Sequence, residues 1–218
     1  MSMYNQGDSL QGSRICITNR VLLTGKHAFD QDVLHQILDR IALIGERGLA
    51  DALILREKDL SSEDYLTLAE SAQKVCQKVH LPLILHHFPE AEEVFPDPLP
   101  LHLSMPDFLS LCEGPPLLHR LGKLPVIGVS THTVSEALEA ERLGAAYITA
   151  SHIFPTDCKK DLAPRGLDYL REVCHSVQIP VFALGGIHPH NVQLCLENGA
   201  AGVCMMSEYF SVCEPKAV

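Results

Sequence analysis

A histidine separates an apolar run from a polar, cationic loop in the second half of the chain. The stretch reads Ala150-Ser-His-Ile-Phe-Pro-Thr-Asp-Cys-Lys-Lys160. An imidazole titrates near neutral pH and can transfer protons, and the two lysines favour such a role for His152 over simple packing against Phe154. Cys158 lies beside Lys159, but no dedicated base accompanies it. We therefore expect His152 to transfer protons and do not expect Cys158 to be a nucleophile.

Two glycines follow a later apolar run, in the stretch Ala183-Leu-Gly-Gly-Ile-His-Pro189. Because they lack Cβ atoms, Gly185 and Gly186 allow backbone amides to approach an anion closely. A helix predicted directly after them would add the positive potential of its N-terminus. Ser207, in the last apolar run, would add a hydroxyl. This pattern favours a phosphate site over a simple tight turn.

Cations and histidines follow three other apolar runs. Strand alternation would place Arg56 and Lys58 on one face, where they suit a carboxylate or phosphate, although pairing of Arg56 with Glu57 remains an equal alternative. His86 and His87 would point to opposite faces of their strand. We therefore expect no metal site around them, although the nearby residues His102 and Asp107 keep metal binding open as the alternative.

Composition excludes several classes of protein. The 218 residues include 17 Lys plus Arg and 27 Asp plus Glu, a net charge of −10, which does not suit a nucleic-acid-binding protein. No apolar stretch is long enough to span a membrane, and residues 1–13 lack the apolar centre of a signal peptide. The eight cysteines are scattered without a C-x-x-C pair. A cytoplasmic protein that binds a small molecule is expected.

Short apolar runs alternate with amphipathic ones, as in an α/β protein. The predicted strands are Arg14–Thr18, Ala52–Lys58, Leu81–His87, Pro100–Ser104, Leu124–Thr131, Ala146–Ser151, Pro180–Ile187 and Gly202–Ser207. The predicted helices are Asp30–Arg47, Ser62–Val79, Thr133–Gly144, Leu167–Ser176 and His188–Gly199. Eight strands in one domain favour a single (β/α)8 TIM barrel, and a doubly wound open sheet is the alternative.

The pattern weakens at three points of this barrel. The third and fourth helices are poorly marked, and the segment after the last strand is too short for a full closing helix. A second subunit could cover that side, which leaves a homo-oligomer open. We expect a flexible segment at 1–13 and a barrel domain at 14–218. Because barrel chemistry lies at the carboxyl ends of the strands, Ser130 and His132 after the fifth strand join the candidate site.

These stretches together resemble the thiamin phosphate synthase/TenI-like family. The resemblance runs from Arg14 to Phe210. The matching segments are Cys16-Ile-Thr18, Leu55-Arg-Glu-Lys58, Leu101-His-Leu103, Gly128-Val-Ser-Thr-His132, His152 to Lys160, Leu184-Gly-Gly-Ile187 and Val203 to Ser207. The resemblance implies a (β/α)8 barrel that binds a thiazole phosphate at the ends of the seventh and eighth strands.

The family has two chemistries, and this chain departs from the pattern of the synthases. Synthases join an aminopyrimidine pyrophosphate to the thiazole phosphate with Mg²⁺. They carry Gln where this chain has Ile54, and Asn-Asp where it has His86 and His87; that Asp binds magnesium, and Asp107 matches a second magnesium aspartate. They also carry Pro and Thr where this chain has His152 and Cys158.

These departures favour the tautomerase branch, an isomerase that aromatises a carboxylated dihydrothiazole phosphate. The resemblance then implies His152 and His132 as catalytic residues, with no cofactor and no metal. Substrate binding would fall to Arg56, Lys58, Ser130, Thr156, Lys159, Gly185, Gly186 and Ser207. The alternatives are a thiamin phosphate synthase, which alone would need Mg²⁺, and a non-catalytic protein that binds thiazole or thiamin phosphate.

Overall fold

Eight parallel strands close into a barrel in the computed structural model, which describes residues 12–89, 94–113, 126–156, 162–213 and 215. The strands are β1 (Ser13–Ile17), β2 (Ala52–Leu55), β3 (Leu83–His86), β4 (Leu101–Ser104), β5 (Ile127–Thr131), β6 (Tyr147–Ser151), β7 (Val181–Leu184) and β8 (Gly202–Met205). Each strand pairs with the next, and β1 also pairs with β8 from Ser13↔Gly202 to Cys16↔Met205. This closure confirms the predicted TIM barrel and excludes the open sheet.

Alternating side chains along the strands divide the core into two layers. One layer fills the barrel and consists of Ile15, Ile17, Ala52, Ile54, Ile84, Tyr147, Phe182 and Cys204. The residues between them, such as Leu53 and Leu55 on β2, point outward and pack against the helices. The Tyr147 ring fits inside because its neighbour Gly128 has no side chain; a Cβ at that position would overlap the ring.

Seven helices surround the strands in the described part of the chain: α1 (Arg20–Thr24), α2 (Gln31–Glu46), α3 (Ser62–Lys78), α4 (Met105–Glu113), α5 (Val134–Arg142), α6 (Gly166–Ser176) and α7 (Val192–Glu197). Side-chain caps fix several starts. Asp30 accepts a hydrogen bond from the Val33 amide at 2.8 Å at the start of α2. Thr133 caps α5 in the same way through the Glu136 amide at 3.1 Å.

The structure also shows where the helix predictions are wrong. α1 was not expected, and α7 begins four residues later than predicted because Asn191 and His188 first form a turn closed by a 2.9 Å hydrogen bond. Between β3 and β4, residues 87–89 and 94–100 form no α-helix. α4 exists but is short and buries only Met105 and Phe108.

The segment after β8 packs against the barrel through two aromatic residues. Tyr209 and Phe210 are fully buried, and the Tyr209 hydroxyl donates to the Leu49 carbonyl at 2.8 Å. The Arg40 guanidinium of α2 donates to the carbonyls of Tyr209 and Ser211 at 2.6 and 3.0 Å. No helix in the described residues is long and apolar enough to cross a membrane.

Candidate active site at the carboxyl ends of the strands

A cavity of about 960 Å³ opens at the carboxyl ends of the strands. Its described lining contains no carboxylate. The polar and glycine residues on its wall are Asn19, Arg56, His86, His102, Ser130, Ser151, His152, Thr156, Gly185, Gly186, His188 and Ser207. With one guanidinium and four imidazoles among these groups, the cavity is suited to an anionic ligand.

Seven of the ten site residues predicted from the sequence line this one cavity. They are Arg56, Ser130, His152, Thr156, Gly185, Gly186 and Ser207. They come from five different strand ends, which the barrel brings together. The placement agrees with the rule that strand ends converge; the roles of these residues remain predictions.

Two other predicted residues lie outside the cavity lining, and a third cannot be placed. β2 ends at Leu55, so Lys58 lies beyond the alternating strand and is exposed to solvent. His132 lies after the end of β5 at the start of α5, where its Nδ1 is 3.7 Å from the Glu136 carboxylate. It was expected beside the substrate, but it is not part of the cavity lining. Lys159 and Cys158 lie outside the described residues.

The glycine pair holds the β7 end against the β6 end. Gly185 and Gly186 have φ angles of +97° and +66°, which side chains rarely tolerate. A Cβ at Gly185 would overlap the Cβ of His152, and one at Gly186 would overlap the Pro155 carbonyl. The Phe154 amide donates to the Gly185 carbonyl at 3.0 Å. Only glycine allows this close approach of backbone to backbone.

The loop after the glycines differs from the predicted helix start. Asn191 donates through its amide nitrogen to the Gly186 carbonyl at 2.9 Å and accepts from the His188 amide at 2.9 Å. The His188 ring contacts the Glu208 carboxylate at 2.5 Å. Since α7 begins only at Val192, no helix N-terminus lies directly after the glycines, and that part of the predicted phosphate site is wrong.

His152 is buried in the wall between these loops, with 4% of its surface exposed. Its Nε2 lies 3.3 Å from the Leu162 carbonyl oxygen. A carbonyl oxygen only accepts hydrogen bonds, so Nε2 carries the proton, and in the neutral ring Nδ1 is then an acceptor. The contact also ties the ring to Leu162, at the cavity rim.

The β2 end is positioned by a buried ion pair that does not involve Arg56. The Arg20 guanidinium donates to Glu57 at 2.9 Å and to Asp59 at 2.8 and 2.7 Å, and the Arg20 amide also donates to Glu57 at 2.9 Å. Arg20 and Glu57 are 2% and 3% exposed. Glu57 thus pairs with Arg20, which leaves the neighbouring Arg56 facing the cavity.

Neutral imidazoles form the wall beside Arg56. His102 contacts the Tyr147 hydroxyl through Nδ1 at 3.0 Å and Ser130 Oγ through Nε2 at 2.8 Å. Burial lowers the pKa of His102 to about 3. The His86 ring stacks on His102 with the ring centroids 5.9 Å apart. Burial lowers the pKa of His86, and electrostatic interactions with His102 and then Arg56 lower it further.

His87 follows the end of β3, with its ring centroid 6.3 Å from that of His86, and it contacts Asp107. Its Nδ1 lies 3.1 Å from Asp107 Oδ2, which also accepts from the Ser104 hydroxyl at 2.7 Å. Neither His87 nor Asp107 lines the cavity. Across the described ranges, no group of three or more His, Cys, Asp or Glu side chains is arranged to hold a metal ion.

Sequence reasoning missed some residues of the site. Asn19 lines the cavity directly after β1, and its Nδ2 lies 3.2 Å from Met206 Sδ. The rule that located the other strand ends also applies to this position. Arg20 was missed because its partners Glu57 and Asp59 lie 37 and 39 residues away, and nothing in the local sequence indicates that pairing.

Comparison with known proteins supports a specific family. The sequence profile of the TMP-TENI family, described as thiamine monophosphate synthase, matches residues 116–209. Thiamine-phosphate synthase from Halalkalibacterium halodurans is 35% identical over 188 residues, covering 85% of this chain and 84% of that protein. The synthase from Shouchella clausii is 36% identical over 195 residues, covering 88% and 90%.

A solved structure shows the same fold. Thiamine phosphate pyrophosphorylase from Pyrococcus furiosus superimposes with a TM-score of 0.71 and 24% identity, covering 95% of this chain and 90% of that one.

The relatives overturn the expected isomerase. The expectation of a thiazole tautomerase depends on substitutions at a few positions, whereas identity to proteins named as synthases extends over most of the chain. The structure also removes His132, the second expected proton carrier, from the cavity wall. The tautomerase interpretation is therefore wrong, and the chain belongs to the thiamine-phosphate synthase family.

Proposed function

We propose that this chain is a transferase that joins an aminopyrimidine diphosphate to a thiazole phosphate. In this reaction the bond between the methylene carbon and the diphosphate oxygen breaks, a bond between that carbon and the thiazole nitrogen forms, and pyrophosphate leaves. The observation that carries the proposal is identity of 35% over 85% of the chain to a thiamine-phosphate synthase. The cavity supports it because anion-binding groups from several strands line a single space.

The thiazole phosphate would bind at the ends of β7 and β8. Gly185 and Gly186 lie on the wall of this region, and the Ser207 hydroxyl lines it as well. Phosphate binding by the loops after the last two strands is common in TIM barrels. Thr156, also on the wall, would provide a second hydroxyl.

The diphosphate would bind beside the β2 end. The Arg56 guanidinium can hold two phosphate oxygens at once. Within the described part of the chain, its side chain makes no hydrogen bond or ion pair with another residue. Ser130 lies deeper in the cavity, where it is held between His102 and Thr149. The family resemblance would add Lys159 to this group.

His152 would contact the substrates between these two regions. Its ring is fixed through the Leu162 carbonyl, and in its neutral form Nδ1 is available as an acceptor. Its role in this proposal is to orient a substrate, with no proton transfer required. Because the ring is buried in the wall, its position is fixed where the two substrates would meet.

The family resemblance implies Mg²⁺, but the described residues do not fit that ion. Mg²⁺ prefers oxygen ligands, and no carboxylate is present in the described lining. Asp107 lies outside the lining and binds Ser104 and His87 instead. The proposed reaction therefore has no step that depends on a metal ion.

The remaining expectations extend this proposal. The partners would be small phosphorylated molecules, and the reaction would take place in the cytoplasm. The latter is supported by the seven described cysteines, all of which are free. A homo-oligomer stays a prediction that light scattering or gel filtration would test.

The test is direct formation of thiamine phosphate. Purified protein is mixed with the aminopyrimidine diphosphate and the thiazole phosphate, with EDTA or with excess Mg²⁺, and products are separated by chromatography. Formation that depends on the protein and falls about tenfold or more in Arg56→Gln supports the proposal. Binding of both compounds without product under either condition would instead indicate a non-catalytic binding protein.

A further inference from the structure

Among the residues that the structure describes, the cavity wall lacks the kind of group that binds Mg²⁺. Its charged or chargeable side chains, among the described residues, are Arg56 and four histidines. A hard cation in such a cavity would have hydroxyls and imidazoles as its nearest protein ligands, which it binds poorly. A diphosphate entering the same cavity meets a guanidinium, which can neutralise part of its charge directly.

One described carboxylate at the β3–β4 edge, that of Asp107, is already engaged. Asp107 Oδ2 accepts from the Ser104 hydroxyl at 2.7 Å and lies 3.1 Å from the His87 ring. Its carboxylate is thus held by neighbouring side chains within the β3–β4 edge.

The Arg56 guanidinium lines the cavity at the same edge, together with the stacked rings of His86 and His102. Among the described residues, the buried His86 Nδ1 has no hydrogen-bond partner. The ends of β2 and β3 therefore combine a guanidinium with an imidazole whose Nδ1 is unsatisfied.

We propose that this chain binds an organic diphosphate at the ends of β2 and β3 without Mg²⁺, and that the Arg56 guanidinium supplies the positive charge that a divalent cation would otherwise provide. The inference rests on the proposed function, because that function supplies the diphosphate. It concerns binding only, so that it can be tested apart from the coupling reaction.

The test measures binding of inorganic pyrophosphate by isothermal titration calorimetry, with EDTA or with excess Mg²⁺, at about pH 8. We expect the wild-type protein to bind pyrophosphate in EDTA, no more weakly than in Mg²⁺. Arg56→Gln should raise the dissociation constant about 10- to 100-fold in EDTA, the loss expected for a charged hydrogen-bond donor. Arg142→Gln is the matched control, since Arg142 pairs with Glu139 on the exposed face of α5.

Two outcomes would overturn the inference. One is binding at least tenfold tighter with Mg²⁺ than with EDTA, and the other is no detectable binding in EDTA. The coupling assay separates this failure from failure of the proposed function. Product formation together with no pyrophosphate binding in EDTA would keep the transferase and reject metal-free binding. Metal-free pyrophosphate binding without product formation under either condition would keep the inference and reject the transferase.

A second variant tests the location. His87 lies beside Asp107 and has a φ angle of +70°, a conformation that Asp also tolerates. His87→Asp places a second carboxylate next to Asp107, so pyrophosphate binding by this variant should become tighter in Mg²⁺ than in EDTA. If Mg²⁺ does not change pyrophosphate binding by His87→Asp, then Arg56 does not replace a divalent cation at this edge of the barrel. Circular dichroism confirms that the variant is folded.

Discussion

The two sides of the cavity are built in different ways. At the β7 end, glycines bring backbone close to backbone, and a Cβ at Gly185 would overlap His152. At the β2 end, the position of the strand exit depends on charged side chains, with Arg20 bound to Glu57 and Asp59. The first side is specified by the absence of side chains and the second by their charges.

This difference bears on how the site can change. A backbone-built anion site has few residues that can vary, because any side chain at the glycines collides with the next loop. A site built from side chains can exchange one source of positive charge for another while the barrel is unchanged. The departures from the synthase pattern at His86 and His87 fall on this second side.

Removing Arg20 should have the largest effect. Arg20→Leu leaves Glu57 buried without its cation, and we expect a loss of about 3–5 kcal/mol in the free energy of unfolding. Arg14→Leu is the control, because the pair of Arg14 with Asp51 is partly exposed and contributes about 1 kcal/mol or less. Urea denaturation measures both. Equal losses would show that the Arg20 ion pair does not hold the β2 end.

The glycine side should respond to a single methyl group. Gly185→Ala adds strain at φ +97° and a clash with His152, and we expect it to cost about 2–4 kcal/mol and to abolish phosphate binding. Gly144→Ala has nearly the same φ, +94°, and nothing within 4 Å of its Cβ. It should cost only about 1–2 kcal/mol. If both cost the same, the close approach to His152 contributes nothing.

The imidazole wall should make stability depend on pH. His102 stays neutral in the folded protein down to about pH 3, whereas in the unfolded chain it takes up a proton below about 6.5. The contribution of neutral His102 to the free energy of unfolding is therefore fully present above about pH 6.5 and is lost as the pH falls. The free energy of unfolding then decreases with a slope that approaches about 1.4 kcal/mol per pH unit.

Urea denaturation between pH 8 and pH 5 measures this slope. His102→Gln should reduce the slope by about 1.4 kcal/mol per pH unit, the contribution of one bound proton. No reduction would mean that His102 is protonated in the folded protein.

The smallest effect is expected at His132. Its ring faces Glu136 outside the cavity, so His132→Ala should change kcat/KM by about twofold or less. His152→Ala, at the cavity wall, should lower kcat/KM about tenfold or more. Coupling kinetics for the two variants compare them directly. A larger loss in His132→Ala would mean that the helix start moves His132 to the substrate.

The barrel could be predicted from the sequence because each strand alternates between two buried layers, and the strand ends then converge by topology. Arg56, Ser130 and the glycines were located in this way. Where the chain leaves a strand, the alternation no longer holds. Lys58 lies beyond the end of β2, and His132 turns toward Glu136 at the start of α5, so both residues lie outside the cavity lining for the same reason.

Side-chain contacts between residues distant in sequence could not be predicted either. The Arg20–Glu57 ion pair joins α1 to the loop after β2, and the stacking of His86 on His102 joins β3 to β4. Neither contact has a local sequence signal. The activity was predicted wrongly because substitutions at single positions were given more weight than similarity over the whole chain.

The most direct test of the central claim is a ³¹P NMR time course of the protein with both substrates. We predict that the diphosphate signals of the aminopyrimidine compound decline while inorganic pyrophosphate and thiamine phosphate appear in equal amounts. Arg56→Gln should slow this conversion about tenfold or more, and Arg142→Gln should not. Unchanged diphosphate signals with and without Mg²⁺ would contradict a transferase in which the two sides of the cavity act together.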